Sequence, residues 1–357
     1  MRLHLALILI LTSLFPFAAS AQVNLDTASF NRLKSDLPLD VPNGLVVIGE
    51  AHDVKNTFVT EYFIIEQLVA KGFKNLYIES GHSEAAIYNY YFATGDTSCL
   101  HYTRAVHENQ EFRTMMERLY QLNKKNNYGI VLNGFDFERN VSVNYLFHKW
   151  FNGVITRDID FDKQLEKLLA IPDYGDRTYK RIADNSAELK TVLSEIKENF
   201  PKYEKQYMSI LNENFPVFKS IVFNPYYFKS TGDKNRDKYM AMIMKEYEDG
   251  MDGEQGLNKS IIITGTYHIV TKDRFIPQVF NKGLSGIYVN SVFIPVYRNC
   301  TMVGEKPYKF SSDSYLLRCL IDKPSKPLVK FYRCTERLVP GPPEVTYSTI
   351  LVGFYDQ

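Results

Sequence analysis

The chain lacks any real charge excess: 42 Lys+Arg stand against 41 Asp+Glu, for a formal net charge of +1. Nucleic-acid binders carry a basic surplus, so nucleic acid is not the expected partner. Cysteine is scarce, with 4 in 357 residues, and no C-x-x-C spacing occurs among them, which argues against a structural zinc site. H-E-x-x-H and H-x-H pairs are missing too, so the signal for a metal centre is weak. Beyond residue 21 no apolar stretch approaches the roughly 18 continuous residues needed to cross a bilayer. Internal repeats and low-complexity tracts are also lacking.

What is present starts at the first residues. Arg2, an apolar stretch from Leu3 to Phe17, and Ala19-Ser20-Ala21 before Gln22 read as a secretory signal peptide cleaved after Ala21. Gln22, not cysteine, stands directly after that position, which argues against a lipoprotein anchor. The expected mature product is soluble and secreted or periplasmic. Disulfides are permitted there, and Cys99, Cys300, Cys319 and Cys334 all lie in the mature chain. One bridge is expected in the C-terminal region, with its partners left open. Aromatic residues reach 14%, chiefly 25 Tyr and 24 Phe. Their spread along the chain reads as a tyrosine-rich core and surface, with a site that stacks on rings or sugars as the alternative.

Four apolar runs organise the rest, and each ends in polar residues. They are Gly44-Leu-Val-Val-Ile-Gly-Glu50-Ala-His52-Asp53, Asn75-Leu-Tyr-Ile-Glu79, Gly129-Ile-Val-Leu-Asn-Gly-Phe-Asp136-Phe-Glu138 and Ser260-Ile-Ile-Ile-Thr-Gly-Thr-Tyr-His268. Between the first two, Phe58, Tyr62, Ile65, Leu68 and Val69 recur at helical spacing, and Gly72 suits the helix stop. Strand, helix, strand makes a βαβ unit, so the strands should be parallel. Helices are also expected over about 83–94, 107–126 and 235–248.

The fold class expected is α/β: a mostly parallel central sheet flanked by helices, with an inserted helical cap and extra C-terminal strands. Residues 160–220 form the cap and residues 22–159 and 221–357 the core. Strand-like runs lie near 286–297, 315–320, 328–333 and 347–354, and the last of these should make an antiparallel edge or a small β subdomain.

If the four runs are neighbours, their ends gather Glu50, His52, Glu79, Asp136 and His268 along one edge. Ligands of open α/β sheets bind outside the carboxyl ends of the strands. A carboxylate beside an imidazole orients the ring and raises its basicity, so that it can take a proton from water near neutral pH. Glu50 can do this for His52, and Glu79 can hold the same water or ring. His268 can serve as a second acid or base, bind a developing oxyanion or ligate a metal. Asp237 suits the first turn of a helix, where a negative charge meets the positive end of the dipole. Arg236 opposes that dipole and so calls for a carboxylate partner, such as Asp136, or a substrate anion. His82, His101, His107 and His148 read as surface or packing residues.

An ordered set of short motifs then resembles the erythromycin-esterase family, within a broader group that includes ChaN-like proteins. It consists of Ile48-Gly-Glu50-Ala-His52, Ala70-Lys-Gly-Phe73, Tyr77-Ile-Glu79, Glu111, Gly134-Phe-Asp136, Asn235-Arg236-Asp237-Lys-Tyr-Met240-Ala241 and Gly265-Thr-Tyr-His268. The resemblance implies an α/β core with a helical insertion beside the active site. It further implies hydrolysis of a carboxylic ester or lactone by histidine-activated water, with no metal and no cofactor. By position, His52 would be the general base, held by Glu50 and Glu79. His268 would meet developing charge, Arg236 and Asp237 would brace the site, and Asp53, Asp136 and Glu111 would face the substrate. The family's first motif usually has a threonine between alanine and histidine and a glycine after; here Ala51 precedes His52 directly and Asp53 follows. Gly49-Glu50-Ala51-His52-Asp53 is therefore also close to the ChaN-like pattern, linked to haem or iron binding. The expected partner is a small-molecule or acylated substrate, or haem in the alternative. The C-terminal 70 residues fall outside the resemblance.

Overall fold

A strand covered on both faces needs continuous apolar residues rather than an alternating pattern. The computed structural model describes residues 45–50, 57–103, 110–171, 186–224, 236–250, 259–265, 268, 285–289, 297–302, 330–337 and 348–353. Its four central strands are β1 (Leu45–Glu50), β2 (Asn75–Ile78), β3 (Val131–Gly134) and β4 (Ser260–Gly265). Every residue of β4 is buried, as are Val46, Val47 and Ile48 in β1. β3 alternates instead, with Val131 exposed and Leu132 buried, and it ends the sheet order among the described residues.

Four more strands complete one sheet: β5 (Ser285–Val289), β6 (Tyr297–Met302), β7 (Lys330–Arg337) and β8 (Ser348–Gly353). Their order is β3-β2-β4-β1-β5-β8-β7-β6. The first six pair in parallel, and β7 and β6 follow as antiparallel neighbours. An antiparallel edge or a small β subdomain is the expectation for the last C-terminal strands, and β7 makes such an edge by pairing antiparallel with both β6 and β8. The last strand differs: β8 pairs in parallel with β5 and extends the central sheet. A parallel partner requires a long crossover, and here the β6–β7 excursion supplies it.

Helices cover the sheet. α1 (Thr57–Ala70) joins β1 to β2, while α2 (His82–Thr94) and α3 (Gln110–Asn126) lie between β2 and β3. At the end of α1, Gly72 takes φ +90° and its N–H donates to the Val69 carbonyl at 2.9 Å. That left-handed turn is the glycine stop expected from the sequence. Beyond β3 come α4 (Asn140–Phe151), α5 (Ile159–Ala170), α6 (Ser186–Leu211) and α7 (Phe215–Phe223). The Asp158 carboxylate caps α5, accepting from the Asp160 and Phe161 amides at 3.1 Å each.

Aromatic rings hold these helices together. Phe147, Phe151, Phe161, Tyr207 and Phe218 are all fully buried, and Phe218 lies 4.7 Å from Tyr207 and 5.5 Å from Phe151, centroid to centroid. Each such side chain contributes roughly 1.5–3 kcal/mol by leaving water. Much of the Tyr and Phe content is therefore core. α8 (Arg236–Gly250) leads into β4. Among the described residues no helix is long and apolar enough to cross a membrane. Residues 1–21, read above as a signal peptide, together with His52, Asp53, His107, Cys319 and the run at 315–320, lie outside the described residues.

Candidate active site

Strand register brings the polar ends together. Glu50 is the Cα partner of Gly265, and Ile78 is opposite both Gly134 and Ile263. The chain therefore leaves β2, β3 and β4 at one level, and the residues that follow are Glu79, Asp136 and His268. A helix that leads into a parallel strand must begin at the carboxyl edge. The first turn of α8 accordingly delivers Arg236 and Asp237 to the same place.

Arg236 spans two carboxylates. Its Nε and Nη2 donate to the two Asp136 oxygens at 3.0 and 2.6 Å, and Nη2 also donates to Glu79 Oε1 at 2.5 Å. The arginine that opposes its helix dipole does so to hold these charges. Burial works against the guanidinium charge, but Asp136 and Glu79 more than offset it and raise its pKa above the ordinary value. The other Glu79 oxygen, Oε2, accepts from Thr264 Oγ1 at 2.8 Å and from the Gly265 amide at 2.7 Å. Glu79 is thus tied to the end of β4 on one side and to α8 on the other.

His268 completes the cluster. Its Nδ1 is 2.5 Å from Asp237 Oδ1, and its Nε2 stands 3.5 Å from Glu79 Oε1. Burial alone would lower the imidazole pKa, but the Asp237 hydrogen bond and the Glu79 carboxylate outweigh it and raise it to about 9. That shift favours the imidazolium at neutral pH, with Nδ1 placed to donate to Asp237. Such a group can give charge stabilisation or a proton.

A second arrangement holds this edge in shape. The N-cap of α2 is Gly81, which has no side chain to cap with, and Glu138 reaches across to do so. Its oxygens accept from the amides of His82 at 2.8 Å and Ser83 at 3.0 Å, and from Ser83 Oγ at 2.5 Å. Asn224, just past α7, donates to Glu138 Oε1 at 3.0 Å and to the Asp136 carbonyl at 3.1 Å. Full burial raises the Glu138 pKa, while these donors pull it back. The loops after β2 and β3 also touch through Asp136 N–H donating to the Ser80 carbonyl at 2.9 Å.

Gly134 is required by that approach, since a Cβ there would overlap the backbone of Ser80 and Gly81. Backbone has no rotamer with which to yield, so Gly134→Ala should cost about 1–3 kcal/mol. Equilibrium urea unfolding measures it, and a midpoint equal to wild type would contradict this packing.

α8 is also fastened farther along. The Tyr247 hydroxyl donates to the Gly134 carbonyl at 3.1 Å, His82 Nδ1 lies 2.9 Å from the same hydroxyl, and the Tyr247 ring meets Tyr77 edge-on at 5.1 Å. His82 is thus a packing residue, and burial lowers its pKa to about 4. His148 likewise packs, with Nε2 2.7 Å from the Ile171 carbonyl.

Of the residues singled out from the sequence, Glu79, Asp136, Arg236, Asp237 and His268 form one largely buried network. Glu50 closes β1 beside it, opposite Gly265. Glu111 lies in the first turn of α3, and its neighbour Phe112 packs on Phe58 at 5.2 Å and on Tyr88 at 6.0 Å. His52 and Asp53 follow Glu50 outside the described residues. Sequence reasoning missed Glu138, Asn224, Thr264 and Tyr247. Glu138 closes the third polar run, two residues after Asp136, and that was its only signal.

No family model and no curated protein matches this chain. Solved structures similar to it include a Bacillus cereus protein with 16% identity, covering 92% of each chain with a TM-score of 0.45. A mutant of the erythromycin esterase EreC in its open conformation has 13% identity over 91% of this chain and 94% of that one, with a TM-score of 0.48. ChaN of Campylobacter jejuni, with cofacial heme, has 14% identity over 73% of this chain and 84% of that one, with a TM-score of 0.30. All three are distant likenesses.

Proposed function

We propose that this protein is an exported hydrolase of a carboxylic ester or lactone, working through histidine-activated water. The observation that carries the reading is the Glu79–Arg236–Asp136 and His268–Asp237 network at the carboxyl edge, beside the end of the strand that leads to His52. The motif resemblance and the signal-like first residues support the class and the export. His52 is the general base: it takes a proton as water attacks the carbonyl carbon, and returns it to the departing alkoxide. The His268 imidazolium faces the oxygen on which charge develops. Arg236 keeps Glu79 and Asp136 in place, and Glu50 precedes the base by two residues.

The test is turnover of short-chain acyl esters by metal-stripped protein, beside His52→Ala. Removing one positioned general base typically costs about 10²–10⁴ in rate, and the variant should lose that much in kcat while still folding. Equal turnover by both proteins would remove His52 from the mechanism. No turnover by either would set the hydrolase reading aside, with hemin titration as the next experiment.

A further inference from the structure

The C-terminal strands carry a pairing that the proposed chemistry does not use. In the β6–β7 ladder Tyr297 stands opposite Arg337, Arg298 opposite Glu336, and Cys300 directly opposite Cys334. Directly opposed residues of an antiparallel ladder share one face, with Cα atoms about 4.5 or 5.5 Å apart according to the type of pair. Both separations fall within the roughly 4.4–6.8 Å that a disulfide spans. Backbone register alone therefore sets two of the four cysteines at bridging separation. We propose that Cys300 and Cys334 form a cross-strand disulfide that ties β6 to β7.

The other cysteines fit this assignment. Cys99 is free and buried, with Sγ 3.0 Å from the Asp96 carbonyl and 3.8 Å from that of Ile87. Burial pushes its thiol up to about 12, so it supplies no thiolate for exchange. It also sits against α2, which packs on β3, whereas β6 is at the opposite edge of the sheet. Of the three pairings open to Cys300, Cys319 and Cys334, the register selects one and leaves Cys319 as the odd thiol.

Forming the bond removes two protons and two electrons from the two thiols. The oxidant is another disulfide, either glutathione disulfide in vitro or a thiol–disulfide oxidoreductase of the oxidising compartment, and it is reduced to two thiols. Occurrence in the cell rests on the export reading; the register does not. The bond closes the long segment between the strands, which restricts the unfolded chain. It also pins β6, which ends the sheet order among the described residues.

The experiment is refolding of the full chain in a glutathione redox buffer, then alkylation, digestion without reduction and peptide mapping by mass spectrometry. The expected map has one linked peptide pair containing Cys300 and Cys334, with Cys99 and Cys319 alkylated. The link should persist in Cys319→Ser. Adding dithiothreitol should lower Tm by several degrees in wild type and in Cys319→Ser, but not in Cys300→Ser/Cys334→Ser. A Cys300–Cys319 or Cys319–Cys334 link, or alkylation of all four, would overturn the assignment. The same map on protein taken from cells expressing the full chain separates it from the export reading. A link in vitro with free thiols in the cell would support the pairing and overturn export.

Discussion

Arg236→Met should destabilise this protein by about 3–5 kcal/mol, the typical cost of removing one partner from a buried ion pair. The guanidinium is the cation between Glu79 and Asp136, whose side chains are 10% and 1% exposed. Methionine fills much of the same volume, so the loss is electrostatic rather than a cavity. It leaves two carboxylates facing each other with little water to solvate them. Arg236→Lys restores a charge but not the two-pronged contact with Asp136, and should recover only part of the loss. Urea unfolding of the three proteins at one pH reads this directly. A cost below about 1 kcal/mol for Arg236→Met, the range of exposed pairs, would mean that the network is open to solvent.

His268→Gln should act on rate and on pH dependence together. In the hydrolase reading it removes the cation facing the developing oxyanion, and kcat/KM should drop about 10²–10³-fold, as when one oxyanion donor is deleted. The wild-type rate should decline as pH rises through about 9, where the imidazolium is lost, and that limb should disappear from the variant. Stability has its own sign. The folded state holds the His268 proton more tightly than the unfolded chain, whose imidazole titrates near its ordinary value of about 6.5. The stabilisation is therefore complete below about 6.5 and fades as pH rises through about 9. Wild type should exceed His268→Gln in Tm by most at acidic pH, with the gap closing under alkaline conditions. A gap that widens with pH would reverse the assignment of charge.

The parts of this fold that could be read from sequence are those where one residue type breaks a local rule. Polar residues closing Val-Ile-Leu runs marked the strand ends, and an arginine in a helix's first turn announced its carboxylate, which is Asp136. The placement of β4 between β1 and β2 joins residues some two hundred positions apart, and hydrophobic periodicity carries no information about such pairing. β8 as a parallel neighbour of β5 was hidden for the same reason: a strand's pattern reports its burial, not its direction. Asn224, Thr264 and Tyr247 are ordinary surface-competent residues whose roles arise only where loops converge. Glu138 caps a helix that begins far earlier in the chain, and a capping pattern read locally looks for the oxygen at Gly81.

The most direct test of the central claim, that the carboxyl edge holds His268 as an imidazolium between Asp237 and Glu79, is a histidine-selective NMR titration. Ring-nitrogen resonances of wild type, assigned by comparison with His268→Gln, would be followed from acidic to alkaline pH. His268 should carry protons on both nitrogens at neutral pH and lose one near 9. A ring already neutral at pH 7 would contradict the account, because the carboxylates would then not be holding the charge on which the proposed chemistry depends.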